Sequence, residues 1–238
     1  MKTELLERFY RLEDSHWWFS GRRRIIHSQL HAMSARGPLL DVGCGTGGTL
    51  AHLNSLGPAY GVDSARQAIA CCRERGLQVS LASALELPYR SGTFNTVLAL
   101  DVIEHIDDDV AALRELGRVL MPDGLLLVTV PALPLLWSGH DDANEHRRRY
   151  LRSTLADALA EAGFETRRLT YYNSLLLPLA GLRKLIQHGR GEGGAHLERL
   201  PPVLNSILGR VLSSEATLIR WRDLPLGASL IATCQPAA

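Results

Sequence analysis

Several things are scarce in this sequence. No uncharged run has the length and freedom from proline that a membrane-spanning helix needs, so no integral membrane segment is expected. Cysteine occurs four times, as Cys44, Cys71, Cys72 and Cys234, and no pair has zinc-ribbon spacing. Free thiols in a reducing cytoplasm are the plain expectation. An excess of one charge is missing too. Lys and Arg number 26 against 25 Asp and Glu, a formal net charge of +1, so bulk electrostatics gives no reason to expect a nucleic-acid partner. No internal repeat or low-complexity tract is present, and the opening M-K-T-E-L-L-E-R-F-Y is too charged for a signal peptide.

What is present is ordinary globular composition, 46% hydrophobic and 21% charged over 238 residues. That length fits one large domain, or one domain carrying an insertion. Its most informative stretch is L-L-D-V-G-C-G-T-G-G at 39–48. An apolar strand ends in a carboxylate, glycines alternate with small residues, and a helical pattern follows from Thr49. Glycines at 43, 45 and 47 permit positive φ and let a ligand lie against bare backbone. The letters also fit G-x-G-x-x-G, so the turn alone does not choose among nucleotide cofactors. Asp41 does help to choose. A carboxylate there would oppose a pyrophosphate but suits an ammonium and a sulfonium, the groups of S-adenosyl-L-methionine. An NAD-dependent oxidoreductase is the competing enzyme reading.

Strands and helices alternate downstream. Ala59 to Val62 is apolar and ends in Asp63, with Ser64 as the expected N-cap of a helix running to Gly76. An acid about twenty residues past the glycines is where a ribose diol is held. Further strands are expected at 77–81, 94–100 and 125–130, with Met121-Pro-Asp-Gly as a turn, and two late ones at 164–172 and 228–234. Helices are expected at 107–120 and 153–162. Near-continuous apolar strands imply a sheet covered on both faces. The fold expected is therefore α/β: a Rossmann-like, doubly wound sheet with ligands at the carboxyl ends of its strands. Residues 3–33 look helical and carry His16, Trp17, Trp18 and Phe19, then Arg22 to Arg24. They read either as packing or as a lid whose arginine reaches a cofactor carboxylate, and Arg23 is the candidate taken. Residues 173–224 interrupt the order with two apolar, helix-like stretches around G-R-G-E-G-G at 189–194.

Together these segments resemble the class I S-adenosylmethionine-dependent methyltransferases. The resemblance rests on D-V-G-C-G-T-G at 41–47, G-V-D at 61–63, L-E-L-P-Y at 85–89, F-N-T-V at 94–97, D-V-I-E-H-I at 101–106 and M-P-D-G at 121–124. It implies a seven-stranded sheet with an antiparallel last strand and a helical insertion (173–224) before it. Residues 1–36 would form the lid and 37–238 the methyltransferase domain. It also implies that Asp41, Gly43, Cys44, Gly45 and Gly47 line the methionine side of the cofactor, and that Asp63 and Ser64 lie at the ribose. Ser83 and Ala84 would lie at the adenine, where the family commonly has an aspartate at 83, with Leu100 and Asp101 at the end of the fourth strand. His-Trp-Trp and D-V-I-E-H are similar to the O-methyltransferases of ubiquinone biosynthesis. In that group an acidic-x-x-Glu-His cluster can hold a divalent metal, here Asp101, Glu104 and His105 with His146 or His140. Whether a metal is held stays open, the alternative being that Glu104 and His105 simply cap and pack the following helix.

Methyl transfer to oxygen needs a base, and His105, His140 and His146 are the candidates. The loop 131–150, rich in acids, histidines and arginines, reads as active-site wall. The expectation is a cytoplasmic O-methyltransferase for a small-molecule or lipid-like acceptor, with no nucleic-acid partner. Basic, amphipathic residues within 173–224 make that stretch a candidate for peripheral membrane contact. The alternative outside enzymes is an S-adenosylmethionine-binding regulatory or partner protein without turnover. The oligomeric state is unknown from sequence.

Overall fold

The computed structural model describes residues 3–179 and 200–237. Its centre is a seven-stranded sheet, built from β1 (Leu39–Val42), β2 (Ala59–Asp63), β3 (Val79–Leu81), β4 (Phe94–Leu100), β5 (Leu120–Pro131), β6 (Phe164–Tyr172) and β7 (Ser229–Pro236). The order is β3-β2-β1-β4-β5-β7-β6. β1 to β5 pair in parallel, whereas β7 runs antiparallel between β5 and β6, with Ala232 opposite both Val128 and Leu169. This is the arrangement expected from sequence. All four residues of β1 are buried, and so are six of the seven in β4. Only a sheet covered on both faces accommodates such runs.

The strand order reverses between β1 and β4, which opens a crevice at their carboxyl ends. Helices α3 (Leu50–Leu53), α4 (Arg66–Glu74), α5 (Asp109–Val119), α6 (Gly139–Ala143) and α7 (Arg152–Glu161) connect the strands. Three local expectations need correction. Ser64 is not the N-cap of α4; Ala65 is, and Asp63 bonds its backbone N–H instead. The helix after Thr49 is a single α-turn followed by a 3₁₀ turn. Met121 to Gly124 does not separate α5 from the strand but lies inside β5. Leu120 already pairs with Phe94, and pairing resumes at Thr96 with Leu125, so the extra residues bulge out of the ladder.

The N-terminal segment is two helices, α1 (Thr3–Leu12) and α2 (Trp17–Ala32). His16 breaks them apart by capping α2, its Nδ1 accepting from the Trp18 N–H at 3.3 Å. Trp17 and Trp18 pack partly buried on the core. The long helix α8 (Pro202–Trp221) lies along α2. Asn205 joins them by accepting from the Trp17 N–H and donating to the Ser15 carbonyl, both at 2.9 Å. Leu212, Ala216 and Ile219 are buried, and Val203, Leu204 and Ile207 are exposed. Glu215, on the same helix, is fully buried and accepts from the Ser174 and Leu175 N–H groups at 2.8 Å each. α8 thus anchors the end of β6 as well as α2. The other helix-like stretch expected within 173–224, with its glycine-rich centre, falls largely at 180–199, outside the described residues.

At Gly21, α2 and α8 pack closely together. A Cβ there would sit 2.8–2.9 Å from three atoms of the Leu212 side chain, one of them its own Cβ. Gly21→Val is therefore expected to destabilise the protein by about 1–3 kcal/mol through overpacking. Denaturant unfolding followed by circular dichroism tests this; an unchanged midpoint would mean that α8 can shift without cost.

Candidate cofactor and acceptor site

The glycine turn leaves β1 with φ of +69° at Gly43 and +55° at Gly45, values that side chains rarely adopt. Gly43 must also be small, since a Cβ would meet Val102 Cγ2 at 2.5 Å, whereas a Cβ on Gly45 would meet nothing within 4 Å. The backbone at Gly45 therefore faces open space, as a ligand cradle requires. The Gly43 and Cys44 N–H groups both donate to the Val62 carbonyl, at 2.8 and 3.0 Å. Asp63 holds the turn from β2: Oδ2 accepts from the Gly45 N–H at 2.9 Å and Oδ1 from the Ala65 N–H at 2.8 Å. Asp41 is almost completely buried beneath. Burial pushes its carboxyl up to about 7, Arg22 opposing this and Asp63 adding to it.

Sequence reasoning missed one member of this site. Glu13, just after α1, accepts from the Gly48 N–H at 3.1 Å and is paired with Arg75 at 2.6 Å. No local pattern marks it, because its partners lie 35 and 62 positions away. The arginine expectation also shifts. Arg23 donates to the Glu13 carbonyl at 2.6 Å, whereas Arg22 points inward, 2.8 Å from Asp101 and 3.2 Å from Thr129 Oγ1. Thr129 in turn donates to Asp101 at 3.0 Å, closing a triangle over the ends of β4 and β5.

The carboxyl edge of the sheet is strained. Asp101 follows β4 at φ +59°, Leu133 lies just past β5 at +60°, and Asn173 follows β6 at +56°. Non-glycine residues pay roughly 1–3 kcal/mol for such conformations, and strain of this kind gathers at functional sites. Beyond Asp101, a 3₁₀ turn carries Glu104 and His105. The Arg147 N–H donates to the Glu104 carbonyl at 2.7 Å, drawing the loop after β5 against this turn. His146 and His105 stand with ring centroids 4.8 Å apart. His146 Nδ1 is 2.9 Å from Asp141 Oδ1, and Arg149 forks onto the same carboxylate at 2.7 and 3.1 Å. Burial disfavours charge on Asp141, yet the bonds from His146 and Arg149 outweigh it and hold the carboxyl well below the usual range.

Glu104 is fully buried, and neither carboxylate oxygen reaches a hydrogen-bond partner among the described residues. Burial, with Asp101 nearby, raises its carboxyl well above the usual range. Burial and the neighbouring His146 lower His105. Glu104, His105 and His146 offer ligand atoms within 4.8 Å of one another, and Asp141 orients His146 from behind, so the set fits a divalent cation. Asp101 and His140 fall outside that set. Asp101 is committed to Arg22, and exposed His140 stands 3.2 Å from the Asn144 amide.

The remaining candidates are spread along the crevice. Cys44 is buried beneath the turn, Ser64 is exposed past β2, and Leu100 closes β4 from within the core. Ser83 is exposed and its Oγ already accepts from the Leu85 N–H at 3.1 Å; Ala84 beside it packs on the core.

Residues 40–128, which hold the turn, Asp63 and the strained end of β4, match the family described as a methyltransferase domain. Over that segment the chain is similar to S-adenosylmethionine-dependent methyltransferases. A tRNA (carboxymethyluridine(34)-5-O)-methyltransferase of Macaca fascicularis is 32% identical over 126 residues, covering 52% of this chain and 18% of that protein. Norajmaline N-methyltransferase of Rauvolfia serpentina is 32% identical over 100 residues, 38% of this chain and 34% of the relative. A probable S-adenosylmethionine-dependent methyltransferase of Mycobacterium tuberculosis is 29% identical over 158 residues, 64% and 57%. The chain thus spans less than two thirds of each of these relatives. The fold matches a crystal structure of an S-adenosylmethionine-dependent methyltransferase from Thermotoga maritima, with a TM-score of 0.61 and 17% identity over 97% of this chain and 94% of that one. The matched family implies S-adenosylmethionine as the cofactor. With tRNA and nitrogen acceptors among the relatives, the expected absence of a nucleic-acid partner lacks support.

Two outcomes are expected of this methyltransferase domain. Asp63→Ala should weaken S-adenosylhomocysteine binding by about 1.5–3 kcal/mol, because charge-assisted hydrogen bonds are lost; calorimetry measures it. The second concerns pH. A ligand bearing an ammonium favours ionised Asp41, so affinity should be highest above about pH 7 and fall as pH drops through that value. The slope should approach about tenfold per pH unit. Asp41→Asn should flatten the dependence, and a flat wild-type profile would remove Asp41 from cofactor recognition.

Proposed function

We propose that this protein methylates an oxygen atom of a small-molecule or lipid-like acceptor, with His146 as general base. The observation that supports this reading is the buried chain Arg149–Asp141–His146 beside the strained ends of β4 and β5. Asp141 accepts from Nδ1–H, which leaves Nε2 bare to take a proton from an acceptor hydroxyl. Arg149 keeps Asp141 ionised, so the proton stays on the imidazole. Burial, and then the neighbouring His146, lower His105 and so favour its neutral form. S-adenosylmethionine supplies an electrophilic methyl on sulfur, and transfer is an in-line displacement governed by positioning. In this reading the Gly43–Gly47 backbone and Asp41 hold the methionine end, Asp63 the ribose, and Ser83 the adenine edge. Arg22, rather than Arg23, provides the cation for the cofactor carboxylate, and α1 and α2 form the lid.

A second reading is favoured by Glu104, whose carboxylate has no hydrogen-bond partner among the described residues. Glu104, His105 and His146 would hold a divalent cation, which would supply Lewis acidity to a hydroxyl bound there. The acceptor hydroxyl would then lose its proton without His146 acting as a base.

Turnover assays with phenols, carboxylic acids, lipid extracts, amines and tRNA, read by mass spectrometry, test the acceptor. Methylation of amines or tRNA alone would sink the proposed acceptor class. On the active acceptor, His146→Ala should retain cofactor affinity and lose about 10²–10⁴-fold in rate. Full activity in a chelator supports the base; loss that a divalent ion restores supports the cation. No turnover on any class, with cofactor bound, would favour a partner protein. Co-sedimentation with anionic vesicles tests whether exposed Val203, Leu204 and Ile207 give α8 a membrane face.

A further inference from the structure

Two thiols lie directly under the cofactor turn and take no part in the chemistry above. Cys44 stands in the turn itself, between Gly43 and Gly45, and Cys72 projects from α4. Both are buried, and their Sγ atoms are 3.9 Å apart. The Cys72 thiol donates to the Gly45 carbonyl at 3.2 Å. The sulfurs also occupy the space that absent side chains leave. A Cβ on Gly61 would lie 2.9 Å from Cys44 Sγ, and one on Gly47 would lie 3.0 Å from Cys72 Sγ. Of the other cysteines, Cys234 faces Thr166 across the β6–β7 ladder, and half-buried Cys71 precedes Cys72 on α4.

We propose that Cys44 and Cys72 form a reversible disulfide that shuts off cofactor binding, an inference that rests on the turn being the cofactor site. A disulfide bond is about 2 Å long, so the sulfurs must roughly halve their separation. Two S–H bonds break and one S–S bond forms; the two electrons and two protons pass to an oxidant such as a peroxide, which becomes two waters. A dithiol reverses the change by exchange. The consequence follows from the geometry. Closing the bond removes the hydrogen bond from Cys72 to Gly45 and pulls the turn toward α4. Gly45 also carries the N–H that Asp63 holds, so the ribose-binding carboxylate loses its tether in the same movement. The thiols are buried, and the contact with Cys72 together with burial raises that of Cys44, so oxidation is slow in the closed protein and needs the turn to open. A bound cofactor, resting on the turn, should slow it more.

The test uses the full chain, treated with hydrogen peroxide or diamide and then freed of oxidant. Intact mass should fall by two hydrogens, and peptide mapping should show a Cys44–Cys72 link rather than one through Cys71. S-adenosylhomocysteine affinity should drop at least tenfold and return with dithiothreitol, and prior saturation with S-adenosylhomocysteine should delay the link. Cys72→Ser should bind the ligand with or without oxidant, and Cys72→Ala serves if the serine variant folds poorly. Folded protein that binds the ligand when reduced but never forms the link overturns the proposal. So does a mapped link that leaves affinity unchanged. Reduced protein that binds no S-adenosylhomocysteine would instead overturn the cofactor assignment, and with it any switch.

Discussion

Asp63 is the point on which the cofactor half of this structure depends. Its carboxylate ends β2, grips the N–H of Gly45 on the neighbouring turn and accepts the first free N–H of α4. One side chain thus ties two loops at the strand switch point, and the glycine turn keeps its left-handed conformation because both neighbours hold it. Gly43 and Cys44 add their donors to the Val62 carbonyl just before. Such a cradle is preorganised: the backbone is already paired, and only the face at Gly45 is left open.

The far end of the crevice follows a different rule, that charges drawn in from solvent come in pairs. Arg22 meets Asp101, and Arg149 meets Asp141 with two nitrogens. Each pair costs desolvation that its hydrogen bonds offset, and each fixes a loop end against the sheet. Glu104 breaks the rule. A fully buried carboxylate with no hydrogen-bond partner among the described residues stays neutral or is balanced by a cation, and it stands beside two imidazoles. That single unbalanced group separates the two chemical readings of the site. The helical layer of α2 and α8 contributes to both halves, since α2 carries Arg22 and α8 fixes the residues after β6 through Glu215.

Much of this was legible in the chain itself. Apolar runs ending in Asp41, Asp63 and Asp101, with glycines at fixed offsets, are local patterns, and strand and helix periods are local too. That is why the alternation of elements, the glycine turn and the acid that ends β2 emerged in their places. The errors are instructive because they are small contests between local alternatives. Ser64 has the chemistry of an N-cap, but the bond went to Asp63, whose second oxygen was free to reach Ala65. Met121 to Gly124 has turn composition, but Leu120 found a partner in Phe94, and the strand absorbed the turn as a bulge.

What the sequence determined by itself is the class of fold and the cofactor cradle, because backbone conformation and burial period are set within a few residues. Tertiary structure decided which of three adjacent arginines turns inward, that Glu13 closes the far end of the turn, that His146 rather than His140 stands beside Glu104 and His105, and that Cys44 faces Cys72. Each of those depends on side chains far apart in the chain meeting in a low-dielectric interior. There, a charge or hydrogen-bond donor must find the partner that the folding of the whole sheet brings to it.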